Sequence, residues 1–359
     1  MKREFADLPL HSGKAPYWLF QRMKKLAREI ILLFYIENRI SDFIRNLSDP
    51  YWFQALGCVL GFDWHSSGLT TTTGGALKEG LGELSKELGL FIVGGKGKTA
   101  LNTPDEIKSL ADSIGFDPNP WITLSRLVAR IDNNALQDGY QLYHHLLIFT
   151  KDGAWCVIQQ GMNEKNNYAR RYHWLGEEVV SFIEDPHKAI CTQKFENNVL
   201  NLVAKESKSA QEVILNIVKE NPKSVIKTYE KISNSLILPP HHSITTKEIK
   251  PENLKTIILK TYENPPKDFQ ELILYEGVGA KTLRALALIS ELVYGTPPSF
   301  KDPARFSFAH GGKDGIPYPV DKRTYDKSIE ILEKAIKKAK LGKREEIDAL
   351  KKLSFYFKL

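Results

Sequence analysis

Two helical patterns, Phe269 to Tyr275 and Ala280 to Tyr294, are joined by Gly277-Val278-Gly279, a connection too tight for bulky residues. So short a join dictates a helical hairpin. Glycine supplies the φ > 0 conformations that such a turn needs. Val278 is the apolar pin expected to tuck between the helices. The free backbone N–H groups at the start of the second helix face outward with the positive end of its dipole. That is an anion site. Lys281, Thr282 and Arg284 follow directly, so a bound phosphate would meet both backbone donors and cations.

The string Gly277-Val278-Gly279-Ala280-Lys281-Thr282 resembles the helix-hairpin-helix element of DNA repair and recombination proteins. The resemblance implies a grip on the duplex backbone that does not read sequence. An ordinary αα-hairpin closed by two glycines has the same spacing. The charge distribution bears on the choice. Of the net +7, much lies just beyond the hairpin, where Val320 to Leu359 carries 12 Lys and Arg against 7 Asp and Glu. A lysine-rich helix is by itself a solvated face, but beside a phosphate-gripping turn it becomes a backbone rail.

A chain of 359 residues suggests two or three domains, and 42% hydrophobic with 26% charged residues is ordinary globular usage. Three widely spaced cysteines, Cys58, Cys156 and Cys191, imply neither a disulfide framework nor a Cys-based zinc site. Met1 to Lys14 has no signal-peptide pattern, and Glu29, Glu37 and Arg39 interrupt the apolar run near Ile30 to Ile36. The expectation is a cytoplasmic protein without a membrane span.

The pattern predicts a long helix from Pro16 to Leu47, broken once, and a second from Asp49 to Leu60. A helix from about Ala76 to Leu88 and a strand from Leu90 to Val93 follow. The next string, Gly94-Gly95-Lys96-Gly97-Lys98-Thr99, is not a nucleotide-binding P-loop, because Ile92 stands where its first glycine belongs. The following helix is expected at Pro104, with Thr103 as N-cap and Glu106 closing a capping box. Asp152-Gly153 between the apolar runs Tyr140 to Thr150 and Ala154 to Gln160 is a strong β-hairpin signal. From Asn163 to Trp174, Arg170 and Arg171 alternate with aromatic rings, a composition suited to phosphates and stacked bases. Lysine-rich helices follow at 197–205, 210–220 and 222–233. The fold class expected is α+β and mainly helical. An amino-terminal α/β domain (1–195) holds the β-hairpin, a helical linker spans 196–238, and a helical DNA-binding domain spans 239–359.

Two places can carry chemistry. In the first, Asp132, Asp138, His144 and Gln160 lie before and along the β-hairpin. Metal-dependent nucleases gather carboxylates at strand ends around a divalent Mg or Mn ion, so Asp132 and Asp138 are the candidate ligands. No Glu-x-Lys or Gln-x-Lys closes the second strand as in restriction-type nucleases. The second place is implied by the glycosylase branch of the helix-hairpin-helix superfamily. There Lys281 falls on the position of an amine nucleophile and Asp321 on that of a catalytic carboxylate. A phosphate contact and a helix N-cap account for the same two residues.

Over nearly its whole length the chain resembles a prokaryotic family catalogued as domain of unknown function 763. The strings that carry this are GKAPYWLFQRM, DPYWFQALGCVLGFDWHSSGLTTT, GGKGKT, NALQDGYQLYHHLLIFTKDGAWCVIQQGMN, ARRYHW and DPARFSFAHGGKDGIPYPVD. The resemblance implies that both parts serve one function. The expectation is a metal-dependent deoxyribonuclease that grips the DNA backbone through its hairpin. A glycosylase or abasic-site lyase and a non-catalytic DNA-binding protein are the alternatives.

Overall fold

The computed structural model describes residues 8, 15–62, 66–192, 195–235 and 251–304, and within 329–337 all but 331 and 335. The chain is mainly helical α+β, built on a five-stranded antiparallel sheet. In chain order the helices before the sheet are α1 (Tyr17–Ile36), α2 (Ile40–Ser48), α3 (Pro50–Leu60), α4 (Gly68–Leu81) and α5 (Leu84–Leu88). The expected break in the first helix falls at Glu37 to Arg39, where Asn38 takes a φ of 55°. Helix α3 starts at Pro50 because proline needs no amide partner there, and the Asp49 carboxylate accepts from Trp52 N at 2.7 Å. The helix expected from about Ala76 starts earlier, at Gly68, so the threonine run Thr70 to Thr73 lies within α4. Its buried side faces α3 and the sheet.

Strand β1 (Leu90–Lys96) runs into a one-turn helix, α6 (Lys98–Leu101), and then α7 (Thr103–Ile114) and α8 (Asn119–Arg130). A helical turn therefore does begin at Lys98, but the loop remains unsuited to phosphate. Gly94 N donates to Glu106 Oε2 at 2.8 Å, and Lys78 Nζ reaches Glu106 Oε1 at 2.6 Å. A carboxylate already occupies that position. The same contacts explain why no capping box forms at α7: Glu106 is turned away from its helix start, and Asn102 precedes α7 without a side-chain cap.

A π-helical turn, Ile131–Ala135, joins α8 to β2 (Leu136–Gln137). Then come β3 (Gln141–Thr150), β4 (Trp155–Asn163), β5 (Tyr168–Leu175) and β6 (Ala189–Cys191). The sheet order is β1-β3-β4-β5-β6, and all pairs are antiparallel. The Asp152-Gly153 turn closes β3 and β4 as expected, with Gly153 at φ 92°. Both sheet faces are covered, so alternate residues enter different cores instead of core and solvent. Leu90, Ile92, Leu146, Ile148, Cys156 and Ile158 pack with α1 to α4, joined by Leu332 and Ile336. Phe91, Val93, Leu147, Phe149, Val157 and Trp174 face the other way.

That second core gathers α8, α9 (Lys208–Ile217), α10 (Pro222–Ser235), α11 (Pro251–Glu263), α12 (Phe269–Leu274) and α13 (Ala280–Tyr294). Residues 197–205, expected to be helical, instead supply β7 (Leu200–Asn201), which pairs with β2. Phe91, Val128, Ile214, Val278, Leu286 and Ile289 belong to one apolar cluster. The hydrophobic cores therefore do not part at residues 195 and 238, where the sequence suggests boundaries.

Candidate functional site

The turn between α12 and α13 has the geometry expected from its residues. Only Gly277 needs glycine's freedom, at φ 88°, since Gly279 is extended at φ −131° and ψ −176°. Val278 is 3% exposed and packs into the second core, while its N–H donates to Tyr275 O at 3.1 Å. The N–H groups of Gly279, Ala280, Lys281 and Thr282 have no acceptor among the described residues, and Lys281 is exposed beside them. Amides so placed at a helix start, with the dipole behind them, form an anion-binding geometry.

The turn is braced at both ends by one segment, residues 130–137. Arg130 Nη1 donates to Ile273 O and Tyr275 O, each at 2.9 Å, at the end of α12. Gln137 Nε2 donates to Ala280 O at 2.8 Å, and Arg284 Nε donates to Gln137 Oε1 at 2.7 Å. Arg284 is thus a buried strut, 4% exposed, whose guanidinium is drawn down to about 10 by burial. Thr282 is buried as well. Neither presents its side chain to a ligand as the sequence suggests, because both lie on the inward face of α13.

Between its two braces the same segment sends Asp132 inward on the π-helical turn. This carboxylate is fully buried and accepts three hydrogen bonds. Oδ2 accepts from Gln159 Nε2 at 2.5 Å and Trp174 Nε1 at 2.9 Å, and Oδ1 meets His187 Nε2 at 2.5 Å. Gln159 Nε2 also donates to Val128 O at 3.2 Å, so its Oε1 is the atom that faces His145 Nδ1 at 2.8 Å. His145 Nδ1 must then be protonated, and its Nε2 accepts from Ser125 Oγ at 2.9 Å. Burial keeps that ring neutral by holding its pKa below the ordinary value. The result is a continuous relay from Ser125 through His145, Gln159 and Asp132 to His187, whose side chain is 8% exposed.

Asp138 belongs to a different network. Its Oδ2 accepts from Arg170 Nη1 at 2.9 Å and Tyr172 Oη at 2.7 Å, and Tyr140 N donates to Oδ1 at 3.0 Å. On its other side Arg170 makes a two-pronged pair with Asp302, Nη1 to Oδ1 at 3.0 Å and Nη2 to Oδ2 at 2.7 Å. Burial works against the charge, yet the facing carboxylates of Asp138 and Asp302 hold Arg170 above the usual guanidinium range. Arg171 points to the opposite sheet face. It donates to Gln54 Oε1 at 3.0 Å, Thr70 Oγ1 at 3.2 Å, Pro50 O at 3.2 Å and His173 Nε2 at 2.8 Å. Burial draws Arg171 down to about 10.

Several sequence expectations change here. Arg170 and Arg171, read as DNA contacts, are adjacent residues of β5 with no solvent exposure, on opposite faces of the sheet. His144 and Gln160 are cross-strand partners on the α4 face, away from Asp132 and Asp138. Burial takes His144 down to about 3, and Gln160 Nε2 is spent on Ser67 O at 2.9 Å and on Tyr143 Oη. The four residues therefore make no common catalytic site. Nor do Asp132 and Asp138 fit a divalent ion: each buried carboxylate already accepts three hydrogen bonds from protein donors. Among the described residues no group of three or more His, Cys, Asp or Glu side chains is placed to hold a metal. No described helix is long and apolar enough to cross a membrane. Asp321 lies outside the described residues.

Sequence reasoning missed Gln159, Trp174, His187 and Asp302. Strand alternation was the available signal for the first two, since on β4 and β5 they share the face opposite Gln160 and Arg171. Nothing local marks His187 or Asp302, which arrive from 55 and 132 residues away from their partners. No curated protein and no solved structure matches the chain. Residues 4–320 match the family model described as protein of unknown function (DUF763), and the chain belongs to that family.

Proposed function

We propose that this is a DNA-binding protein that holds the phosphate backbone at the turn between α12 and α13. The observation that carries the reading is the set of four unpartnered amides from Gly279 to Thr282, converging at a helix start beside exposed Lys281. Arg126, exposed on α8, and Arg130 add positive charge on the helix against which α12 packs. Backbone amides carry no base preference, so the expected binding is tolerant of sequence and sensitive to salt.

The proposal commits to this grip and routes no step through a metal at Asp132 and Asp138, whose oxygens are occupied. Lys281 supplies a second reading, because an exposed amine beside the anion site can condense with the C1′ aldehyde of a bound abasic strand, releasing water and leaving the imine that borohydride reduces. Fluorescence anisotropy with duplex and single-stranded oligonucleotides across a salt series tests the grip. Lys281→Ala should weaken binding to all sequences alike and reduce the salt slope by about one. Absence of binding at low salt would sink the proposal. A covalent borohydride adduct on abasic DNA that Lys281→Ala abolishes would favour the lyase reading.

A further inference from the structure

Between the β2–β3 turn, the β4–β5 turn and residues 196–199 lies a cleft of about 400 Å³. Its size falls in the range of small-molecule sites. Its wall is dominated by carboxamides: Gln137, Gln141, Asn163, Asn197 and Asn198, with Met162 among them. Three of these amides, on Gln141, Asn197 and Asn198, make no hydrogen bond among the described residues, and all three are exposed. Asn163 uses Oδ1 on Lys165 N at 3.0 Å and leaves Nδ2 at the cleft, where a Cβ on Gly139 would lie 3.3 Å from it.

A carboxamide presents a donor and an acceptor side by side, which is the pattern of a nucleobase edge. The charged groups at the rim are of both signs, Glu164 and Glu196 against Lys165, so the wall suits a neutral polar ring better than a phosphate. Met162 adds a polarizable surface for the face of such a ring. Gln137 ties this cleft to the hairpin, because the same side chain that lines it holds Ala280 O and Arg284 at the start of α13. An anion grip and an amide-lined cleft thus meet at one residue.

We infer that the cleft takes an unstacked nucleobase from the nucleic acid whose backbone the hairpin holds. The inference rests on the DNA-binding reading for the origin of the base, but nucleoside binding by the cleft does not require the hairpin. Ligand-observed NMR of the full-length protein with the four deoxynucleosides, and with deoxyribose as control, reads the cleft alone. At least one nucleoside should bind saturably. Gln141→Ala with Asn197→Ala should weaken it roughly tenfold, as expected for one or two lost hydrogen bonds, and Lys281→Ala should leave it unchanged. Asn198→Gly is the second variant, since it removes an amide while keeping the residue's φ of 61° accessible.

The other arm places 2-aminopurine in a mismatched duplex and follows its fluorescence on binding. An increase that the cleft variants abolish, while anisotropy still reports duplex bound by the hairpin, is the expected result. Duplex binding with no nucleoside binding and no fluorescence change overturns the cleft and leaves the grip standing. Nucleoside binding without any DNA binding overturns the grip and leaves the cleft. Deoxyribose binding as tightly as the nucleosides marks a sugar site and overturns the base assignment.

Discussion

Arg170 is the residue on which the interior depends most heavily. Its guanidinium separates two buried carboxylates, Asp138 and Asp302, and the Tyr140 ring lies 4.6 Å from its charge. Removing it leaves two buried acids without the cation that compensates them. Arg170→Ala should therefore destabilise the protein by about 3–5 kcal/mol, read as a shift in urea midpoint at pH 7. Histidines set a second residue-scale property. His144, His145 and His173 are all buried, and burial holds each below the ordinary histidine value. Below about pH 6.5 the unfolded chain binds protons that the native rings refuse, so stability is full above that pH and falls as pH drops. For His144 the loss continues down to about pH 3. Each ring contributes up to about 1.4 kcal/mol per pH unit, and urea unfolding at pH 7.5 and 5.5 should differ by several kcal/mol. Equal midpoints at the two values would contradict neutral, buried rings.

Among the elements, α1 and α4 approach closely at Gly80, where an added Cβ would sit 2.6 Å from Lys24 O. Backbone cannot swing aside as a side chain can. Gly80→Ala should widen the crossing and cost about 1–3 kcal/mol, visible as a lowered Tm. The segment 130–137 performs three tasks in eight residues: Arg130 holds α12, Asp132 anchors the buried relay, and Gln137 holds α13. Asp132 sits on the π-helical turn Ile131–Ala135 that follows α8. Gln137→Ala would strip Arg284 Nε of its acceptor and Ala280 O of the side-chain donor it has besides its helical bond. The expected cost is about 1–3 kcal/mol, with weaker DNA binding because the hairpin loses its support. DNA affinity unchanged in a folded Gln137→Ala protein would separate the brace from the grip.

At the scale of the whole molecule, the helices from α8 to α13 and one sheet face share a single core. A fragment comprising residues 239–359 exposes Val278, Leu283, Leu286 and Ile289 without the partners they have in the intact chain. It should be largely unfolded by circular dichroism and rapidly cleaved in limited proteolysis, whereas a cooperative unfolding transition of that fragment would show the core to be divisible. How far the sequence could be read follows from the range of the interactions. Gly277-Val278-Gly279 and Asp152-Gly153 are legible because a turn is decided by the φ of the residues in it. Helices α3 and α7, with proline near their starts, are legible for the same reason. Arg170-Arg171 misleads because two neighbouring cations look solvated until β5 points them to opposite faces, where acceptors from α3, α4, β2–β3 and Asp302 receive them. By itself the sequence determined the α+β class, both glycine turns and the family. Only the tertiary structure decided which carboxylates are spent in the interior, that His187 and Asp302 complete their networks, and that amides from three distant turns line one cleft. Local propensity acts between neighbours in the chain, whereas the pairing of a buried charge depends on what folding brings to it.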